Sequence, residues 1–356
     1  MRVVICAPYP FRDQDRASGD GLMQSVVTLA HALANERDVD VHVLSRAVRT
    51  HDTTTREIDG VHATWVPDPI PSVDYLLERS LLRRRFAKAL SDLQPDVVHA
   101  HGEPPFIQAA LDHSAPHIVT LQGLFAQQTR AHTRAAPLAY RFAYAMLRRW
   151  EAGYLPRIRN LIAINNELAD SVRMQSPNVK VFAIKNPVEA SLLEVADAES
   201  RPTILFVGQL SRRKGVHLVL EAFDRLAGRH SDLQLRIVGD CLQDPAYAEA
   251  LERQYERYVR DARVVFTGPA NRAQVAAELS RCSLLCLPSF YEASPVVVIE
   301  AMAAGKPVVA TRAGDVDDLL GNGNAGLVVD VGDLGGLTTA LDTLLSDPAA
   351  RREMGR

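Results

Sequence analysis

The feature that most constrains this chain is an alternation. Short runs of β-branched and aliphatic residues recur along it, each followed by a turn and, in most cases, a longer amphipathic stretch. Parallel strands need a crossover long enough to return the chain to the same end of a sheet, and a helix supplies it. In the first half the strand candidates are Arg2–Cys6, Val39–Leu44, Val97–His99, Ile118–Thr120 and Asn160–Ile164. Between the first two, Leu22, Val26, Leu29 and Leu33 recur at three- and four-residue spacing, which places them on one helix face. The pattern restarts with Thr203–Val207, Leu233–Val238, Val264–Phe266, Leu284–Leu287, Pro307–Ala310 and Gly326–Val329. The stretch from Asn186-Pro187 to Arg201-Pro202 is small, acidic and unpatterned, and reads as a linker. The expected fold is α/β: two facing Rossmann-like domains with parallel sheets, residues 1–190 and 191–356, and a cleft between them. In such folds ligands bind outside the carboxyl ends of the strands.

Composition narrows the function classes. A chain of 356 residues is longer than one core usually grows. A net charge of -3 gives no electrostatic case for a nucleic-acid partner. No apolar run reaches the roughly 18–20 residues that span a bilayer. The opening Met1–Pro8 is too short and too soon broken by proline for a signal peptide, so a buried strand is expected there. Cys6, Cys241, Cys282 and Cys286 are scattered without metal-ligand spacing and read as buried free thiols, as expected of a cytoplasmic protein.

Two segments of the second half carry the chemistry. After the strand ending at Leu287 comes Pro288-Ser289-Phe290-Tyr291-Glu292-Ala293-Ser294-Pro295, then a helical run from Val296 that contains Glu300. Proline suits the first turn of a helix, and the free N–H groups there can hold an anion or a set of hydroxyls. Glu300 lies among Val297, Val298, Ile299, Ala301 and Met302, where an unpaired charge is costly; its carboxylate suits a ribose diol. The other segment is Val207-Gly208-Gln209-Leu210-Ser211-Arg212-Arg213-Lys214-Gly215, a strand end running into a basic loop and a helix start. Lys214 beside Gly215 combines ammonium charge with backbone donors, which suits a diphosphate. The ordinary alternatives are surface glutamates and a solvated basic loop.

The spacing Glu292-x7-Glu300, continued by Ala-Met-Ala-x-Gly-x-Pro and preceded by the Lys-Gly loop, resembles the GT4-type retaining glycosyltransferases of GT-B fold. The resemblance covers nearly the whole chain and is more specific in its second half. It implies a retaining transfer of a sugar from a nucleotide-diphosphate donor, UDP or GDP, to an acceptor hydroxyl, with no cofactor and no metal. It implies that Lys214, with Arg212 or Arg213, binds the diphosphate and that Glu300 holds the ribose. Glu292 and the N–H groups around Pro295, Val296 and Val297 would take the transferred sugar, with Gly268 against the nucleobase. In the first half, Pro95-Asp96-Val97-Val98-His99-Ala100-His101-Gly102 resembles the family strand whose histidine lies beside the reacting sugar, which falls on His101; from the residues alone His99 is equally eligible. Gly19, in Ser18-Gly19-Asp20-Gly21, resembles the glycine loop that approaches the diphosphate. Asp20, Glu103 and Gln122 fall on the acceptor side. Two departures matter: Gln209 stands where the family often has arginine, and Gln122 where histidine is common. The residues end at Arg356, soon after a helix around Leu337–Leu345, so the family's closing helix is expected to be absent or shortened.

Other matches are declined. Gly321-Asn322-Gly323-Asn324-Ala325-Gly326 is a literal GxGxxG, but it precedes a strand where the dinucleotide motif would follow one. Asp13-Gln14-Asp15, Asp38-Val39-Asp40 and Asp315-Val316-Asp317 have the DxD form without further ligand candidates. The arginine-rich stretches Arg79–Lys88 and Arg141–Arg159 read as packed helices with solvated faces rather than lipid-binding surfaces, leaving at most a weak peripheral contact with the inner membrane face. The acceptor is expected to be a sugar, lipid-linked or a small molecule. Competing functions are a sugar-nucleotide epimerase or phosphorylase on the same fold, and a non-catalytic nucleotide-sugar-binding module.

Overall fold

The computed structural model describes residues 1–11, 21–48, 51–68, 80–125, 138–242 and 244–356. The chain divides into two compact units, with the boundary between Pro187 and Val188.

The first unit is built on an eight-stranded sheet of β1 (Arg2–Cys6), β2 (Asp40–Val48), β3 (Thr54–Ile58), β4 (Val61–Asp68), β5 (Val97–His101), β6 (His117–Leu121), β7 (Asn160–Ala163) and β8 (Lys180–Ala183). The spatial order is β3-β4-β2-β1-β5-β6-β7-β8. All neighbours run parallel except β3 and β4, which pair antiparallel as a hairpin. Its helices are α1 (Gly21–Ala34), α2 (Ser80–Leu93), α3 (Pro104–Asp112), α4 (Leu138–Tyr154) and α5 (Asn166–Gln175). Val3, Val4, Ile5 and Cys6 are all buried, as strands covered on both faces must be. On α1 the deepest residues are Val26, Val27 and Ala30, packed with Ile5, Val43 and Trp65, while Leu22, Leu29 and Leu33 lie at the rim of that cluster. The expected helix is therefore present, with its buried face turned from the one the leucines suggested.

Three strands were not anticipated: β3, β4 and β8. The β3–β4 turn carries Asp59 and Gly60 at φ 51° and 79°, the two positive values a tight hairpin requires. Three expected strands of this unit run longer, β2 to Val48, β5 to His101 and β6 over His117–Leu121.

The second unit is an all-parallel, six-stranded sheet of β9 (Thr203–Val207), β10 (Gln234–Val238), β11 (Val264–Gly268), β12 (Leu284–Leu287), β13 (Val308–Thr311) and β14 (Gly326–Val329), in the order β11-β10-β9-β12-β13-β14. Its helices are α6 (Val216–Leu226), α7 (Pro245–Gln254), α8 (Glu256–Arg260), α9 (Arg272–Arg281), α10 (Val296–Ala303), α11 (Val316–Leu319), α12 (Leu334–Ser346) and α13 (Pro348–Met354). Alternate residues of β9 feed opposite layers: Ile204 and Phe206 pack with Phe223 and Leu341, and Leu205 packs with Leu285, Val298 and Ala301. The run Gly321–Gly323 is a 3-10 turn between α11 and β14, as its place before a strand required.

The linker is not loose. Residues Ala190–Glu194 form a 3-10 turn, Leu192 is buried against Val298 and Ala301, and Val188 and Val195 pack on the same layer. Asp197 pairs with Lys306 at 2.6 Å, and Glu199 with Arg351 of α13 at 2.8 Å. An unpatterned sequence is here fastened to the second unit by three apolar side chains and ion pairs.

Candidate active site

Strand order fixes where a site can form. In the second unit the chain proceeds outward from β9 to β10 and β11, then returns to lay β12, β13 and β14 on the other side. The direction reverses between β9 and β12, so the loops leaving their carboxyl ends diverge and open a crevice. Those two loops carry the lysine and the first glutamate.

The loop after β9 turns through Gly208 and a 3-10 turn, Arg212–Lys214, to Gly215, whose φ of 72° starts α6. A Cβ on Gly215 would lie 2.0 Å from the carbonyl oxygen of Pro288, so glycine lets the two loops touch backbone to backbone. The Phe290 amide donates to the Arg213 carbonyl at 2.8 Å, and Arg213 Nη1 donates to the Tyr291 carbonyl at 3.1 Å. Lys214 Nζ then reaches Glu292 Oε1 at 2.5 Å, and Ser289 Oγ donates to the same oxygen at 2.7 Å. Glu292 is buried, its side chain 8% exposed against 16% for Lys214. Both donors fall on Oε1, so Oε2 has no hydrogen bond within the described residues and remains open to a hydroxyl. Lys214 likewise spends one of three N–H donors on Glu292.

A third loop, after β13, backs this pair. Thr311 Oγ1 donates to the Ser289 carbonyl, and the Asp315 amide to that of Ala293 at 3.2 Å. Gly314 has φ 63°, and a Cβ there would lie 2.4 Å from the Glu292 carbonyl oxygen.

The three cations of the basic loop thus have separate duties. Lys214 faces Glu292, Arg213 braces the loops, and Arg212 lies 4.9 Å over the Tyr247 ring. Pro295 takes the cap position and Val296 opens α10 one residue later than a first-turn proline would have it. The amides of Val296 and Val297 belong to the first turn, where no intrahelical acceptor exists. Glu300 lies one turn further along the face of Val296 and Val297. Burial raises its carboxyl above the ordinary range, and the charge of Arg272 opposes that rise. Gly268 ends β11 at φ 74°, with open space where a Cβ would point.

In the first unit the reversal falls between β1 and β5. His101 ends β5, buried, its ring 4.1 Å from that of His99. His99 Nε2 and Thr120 Oγ1 are hydrogen-bonded at 2.8 Å, whereas neither ring nitrogen of His101 has a partner among the described residues. Burial lowers His99 to about 4, and burial together with His99 holds His101 well below the ordinary imidazole value. Both rings are therefore neutral near pH 7. Glu103 caps α3 by position and pairs with Arg46 at 3.1 Å; Arg46 also reaches buried Asp68 at 3.3 Å. Gln122 Nε2 donates to Asn186 Oδ1 at 2.8 Å. Gly19, Asp20 and the Asp13–Asp15 triplet lie outside the described residues.

Of the other acidic triplets, Asp40 is engaged by Arg2 and His42, and Asp317 by Arg312. Among the described residues no group of three or more His, Cys, Asp or Glu side chains is placed to hold a metal ion. No helix of the described residues is long and apolar enough to cross a membrane. On α2, Arg83 pairs with Asp112, and Arg85 donates to the Pro67 carbonyl. The four cysteines are free; Cys6, Cys282 and Cys286 are buried, and Cys241 only half-buried.

Sequence reasoning passed over Ser289, Thr311, Gly314 and Arg272. Ser289, as a polar residue directly after a buried strand and before the glutamate loop, was the one with a readable signal.

Residues 19–192 match the Glycosyltransferase Family 4 model, and residues 193–356 match that of Glycosyl transferases group 1. A glycogen synthase of Mycobacterium tuberculosis is 28% identical over 94% of this chain and 85% of its own length. A sucrose-phosphate synthase from Thermosynechococcus elongatus superposes with a TM-score of 0.79 at 19% identity, covering 100% of this chain and 92% of the other. HepE of Anabaena, solved in complex with UDP and glucose, superposes with a TM-score of 0.69 at 18% identity over 100% and 92% of the two chains. With both halves matched and two parallel-sheet units of GT-B type, the chain belongs to the GT4-type glycosyltransferases.

Proposed function

We propose that this chain transfers a sugar, with retention of anomeric configuration and without a metal ion, from a nucleotide-diphosphate donor to an acceptor hydroxyl. The observation that carries the reading is the convergence of Lys214, Glu292 and the first turn of α10 at the strand-order reversal of the second unit. The donor's diphosphate lies against Lys214 and the adjoining amides, which supply the positive charge that a divalent ion provides in other designs. Glu292 Oε2 accepts from hydroxyls of the sugar being moved, and Glu300 accepts from the ribose diol. Gly268 leaves room for the nucleobase against the backbone.

In the reaction the bond from the anomeric carbon to the diphosphate oxygen breaks, and the bond to the acceptor oxygen forms on the same face. The acceptor proton passes to the departing phosphate oxygen. The protein contributes position and electrostatic stabilisation of the leaving group rather than a nucleophile. Glu292 and Glu300 lie on one loop–helix unit, so they do not flank a bond as the carboxylates of an inverting pair do. On the first unit we assign a catalytic role to His101, a neutral imidazole, and the acceptor to Glu103 and Gln122, with Asp20. We place the reaction in the cytoplasm, where buried free thiols persist, with any membrane contact peripheral.

Because a structural neighbour was solved with UDP and glucose, UDP-glucose is the first donor to test. A thermal-shift screen of UDP-, GDP-, ADP- and TDP-sugars identifies the base, since a bound donor stabilises by mass action. A donor that raises the melting temperature but is neither hydrolysed nor transferred under any acceptor contradicts the enzymatic reading.

A further inference from the structure

His99 and His101 lie two residues apart on β5 and so share one face of the sheet. Both are buried, with ring centroids 4.1 Å apart and planes inclined by 40°. Of the two, His99 is anchored: its Nε2 and Thr120 Oγ1 of β6 are hydrogen-bonded at 2.8 Å. Neither nitrogen of His101 has a partner among the described residues, so its contact with the His99 ring is what sets how it is turned. The register makes this division specific. Thr120 is the cross-strand partner of His101, and His99 faces Ile118, yet the Thr120 hydroxyl reaches back to His99. The backbone at His101 is held as well. The Gly102 amide donates to the Thr120 carbonyl at 3.0 Å, and the Glu103 amide to the His101 carbonyl at 2.8 Å. His101 thus combines a fixed backbone with a ring steered by its neighbour.

We propose that His99 is a positioning residue: the Thr120 hydroxyl fixes the His99 ring, and that ring holds the His101 imidazole in the orientation that serves the reacting sugar. The inference rests on the catalytic reading of His101. It also divides the roles of two histidines that residue type left equally eligible, since His99 has spent a nitrogen on Thr120 and His101 has spent none on the described residues. Catalytic alignment is narrow: a displacement of about 1 Å, even from a change away from the chemistry, costs on the order of 10²-fold in rate. A buried ring in contact with a second, anchored ring is kept within such limits by packing. Thr120→Val keeps the branched shape and removes the hydroxyl, so the His99 ring loses its anchor and turns to find another partner. Thr120→Ser keeps the hydroxyl and with it the anchor.

The test is a double-mutant cycle on the full chain, read in two ways. The first is steady-state hydrolysis of UDP-glucose, or of the nucleotide sugar that binds tightest, with kcat and KM separated. Thr120→Val is expected to lower kcat roughly tenfold with the donor KM within about twofold of wild type, and Thr120→Ser to stay near wild type. In a His101→Ala background, Thr120→Val is expected to cost nothing further, because its effect passes through His101. The second readout is independent of turnover: long-range proton–nitrogen spectra of the histidine rings, with His101 assigned by its loss in His101→Ala. Its ring signals should move in Thr120→Val and hold in Thr120→Ser. If they hold in Thr120→Val, or if Thr120→Val costs the same factor with and without His101, the inference is overturned and a slow His101→Ala leaves the catalytic reading standing. If His101→Ala turns over as fast as wild type, or wild type turns over no nucleotide sugar, the catalytic reading of His101 falls and takes the inference with it. His99→Asn, which lacks the ring, should show the same kcat loss, again absent without His101; it keeps the test decisive should Thr120→Val fold poorly.

Discussion

Replacing Lys214 by alanine removes one ammonium and strands one carboxylate. Glu292 is buried, and without Lys214 its Oε1 keeps only the Ser289 hydroxyl. Loss of a preorganised donor at a leaving group costs about 2.7–4 kcal/mol, or 10²–10³ in kcat. Breaking a buried pair from one side costs about 3–5 kcal/mol. Both side chains here keep some exposure, 16% and 8%, so about 2–3 kcal/mol is expected. At roughly 2–4 °C per kcal/mol for a unit of this size, the melting temperature should drop by about 4–12 °C. The double variant Lys214→Ala/Glu292→Gln removes the stranded charge, so most of that loss should return while activity stays low. The assays are initial transfer rates with the selected donor and a melting curve for each member of the cycle. Turnover within a few-fold of wild type in Lys214→Ala would refute the catalytic role. Strictly additive melting shifts across the cycle would refute the pairing, since coupled residues are non-additive.

Glu300→Gln should weaken binding of the bare nucleoside diphosphate, whereas Glu292→Gln should leave it within a few-fold and mainly lower kcat; equal affinity losses in both would undo the division of roles. Gly314→Ala should lower both melting temperature and kcat/KM. Its φ of 63° costs about 1–2 kcal/mol for a side chain, and the new Cβ displaces the Glu292 carbonyl. Stability should also fall with acid below about pH 6.5, the unfolded value for histidine, because buried His99 and His101 resist protonation in the fold and the unfolded chain binds more protons. For His99 the loss continues to about pH 4. Melting curves across that range should show a shallower slope in His101→Gln; an identical slope contradicts the assignment.

The second unit was largely legible because its strands are near-continuous apolar runs ending in turn residues. Thr203–Val207, Leu284–Leu287 and Gly326–Val329 were read to the residue. The first unit was less so. Val61–Asp68 contains His62, Thr64 and Trp65 and shows no clean run, although the Asp59-Gly60 pair was a hairpin signal waiting to be used. The linker misled for a different reason: its anchors, Leu192, Asp197 and Glu199, meet partners such as Ala301, Lys306 and Arg351 that are remote in sequence. The same limit applies to the site. Lys214, Glu292 and Glu300 could be singled out from residue type and context, but the pairing of Lys214 with Glu292 is a product of strand order. Ser289, Thr311 and Gly314 matter only because β12 and β13 lie side by side.

The central claim is transfer from a nucleotide sugar with retention, centred on Lys214 and Glu292. It is tested most directly by proton NMR of the first-formed product, using the α-linked donor selected by thermal shift and following the anomeric signal before any mutarotation. An α-configured product, absent in Lys214→Ala, is the predicted result. A β-configured product would contradict it.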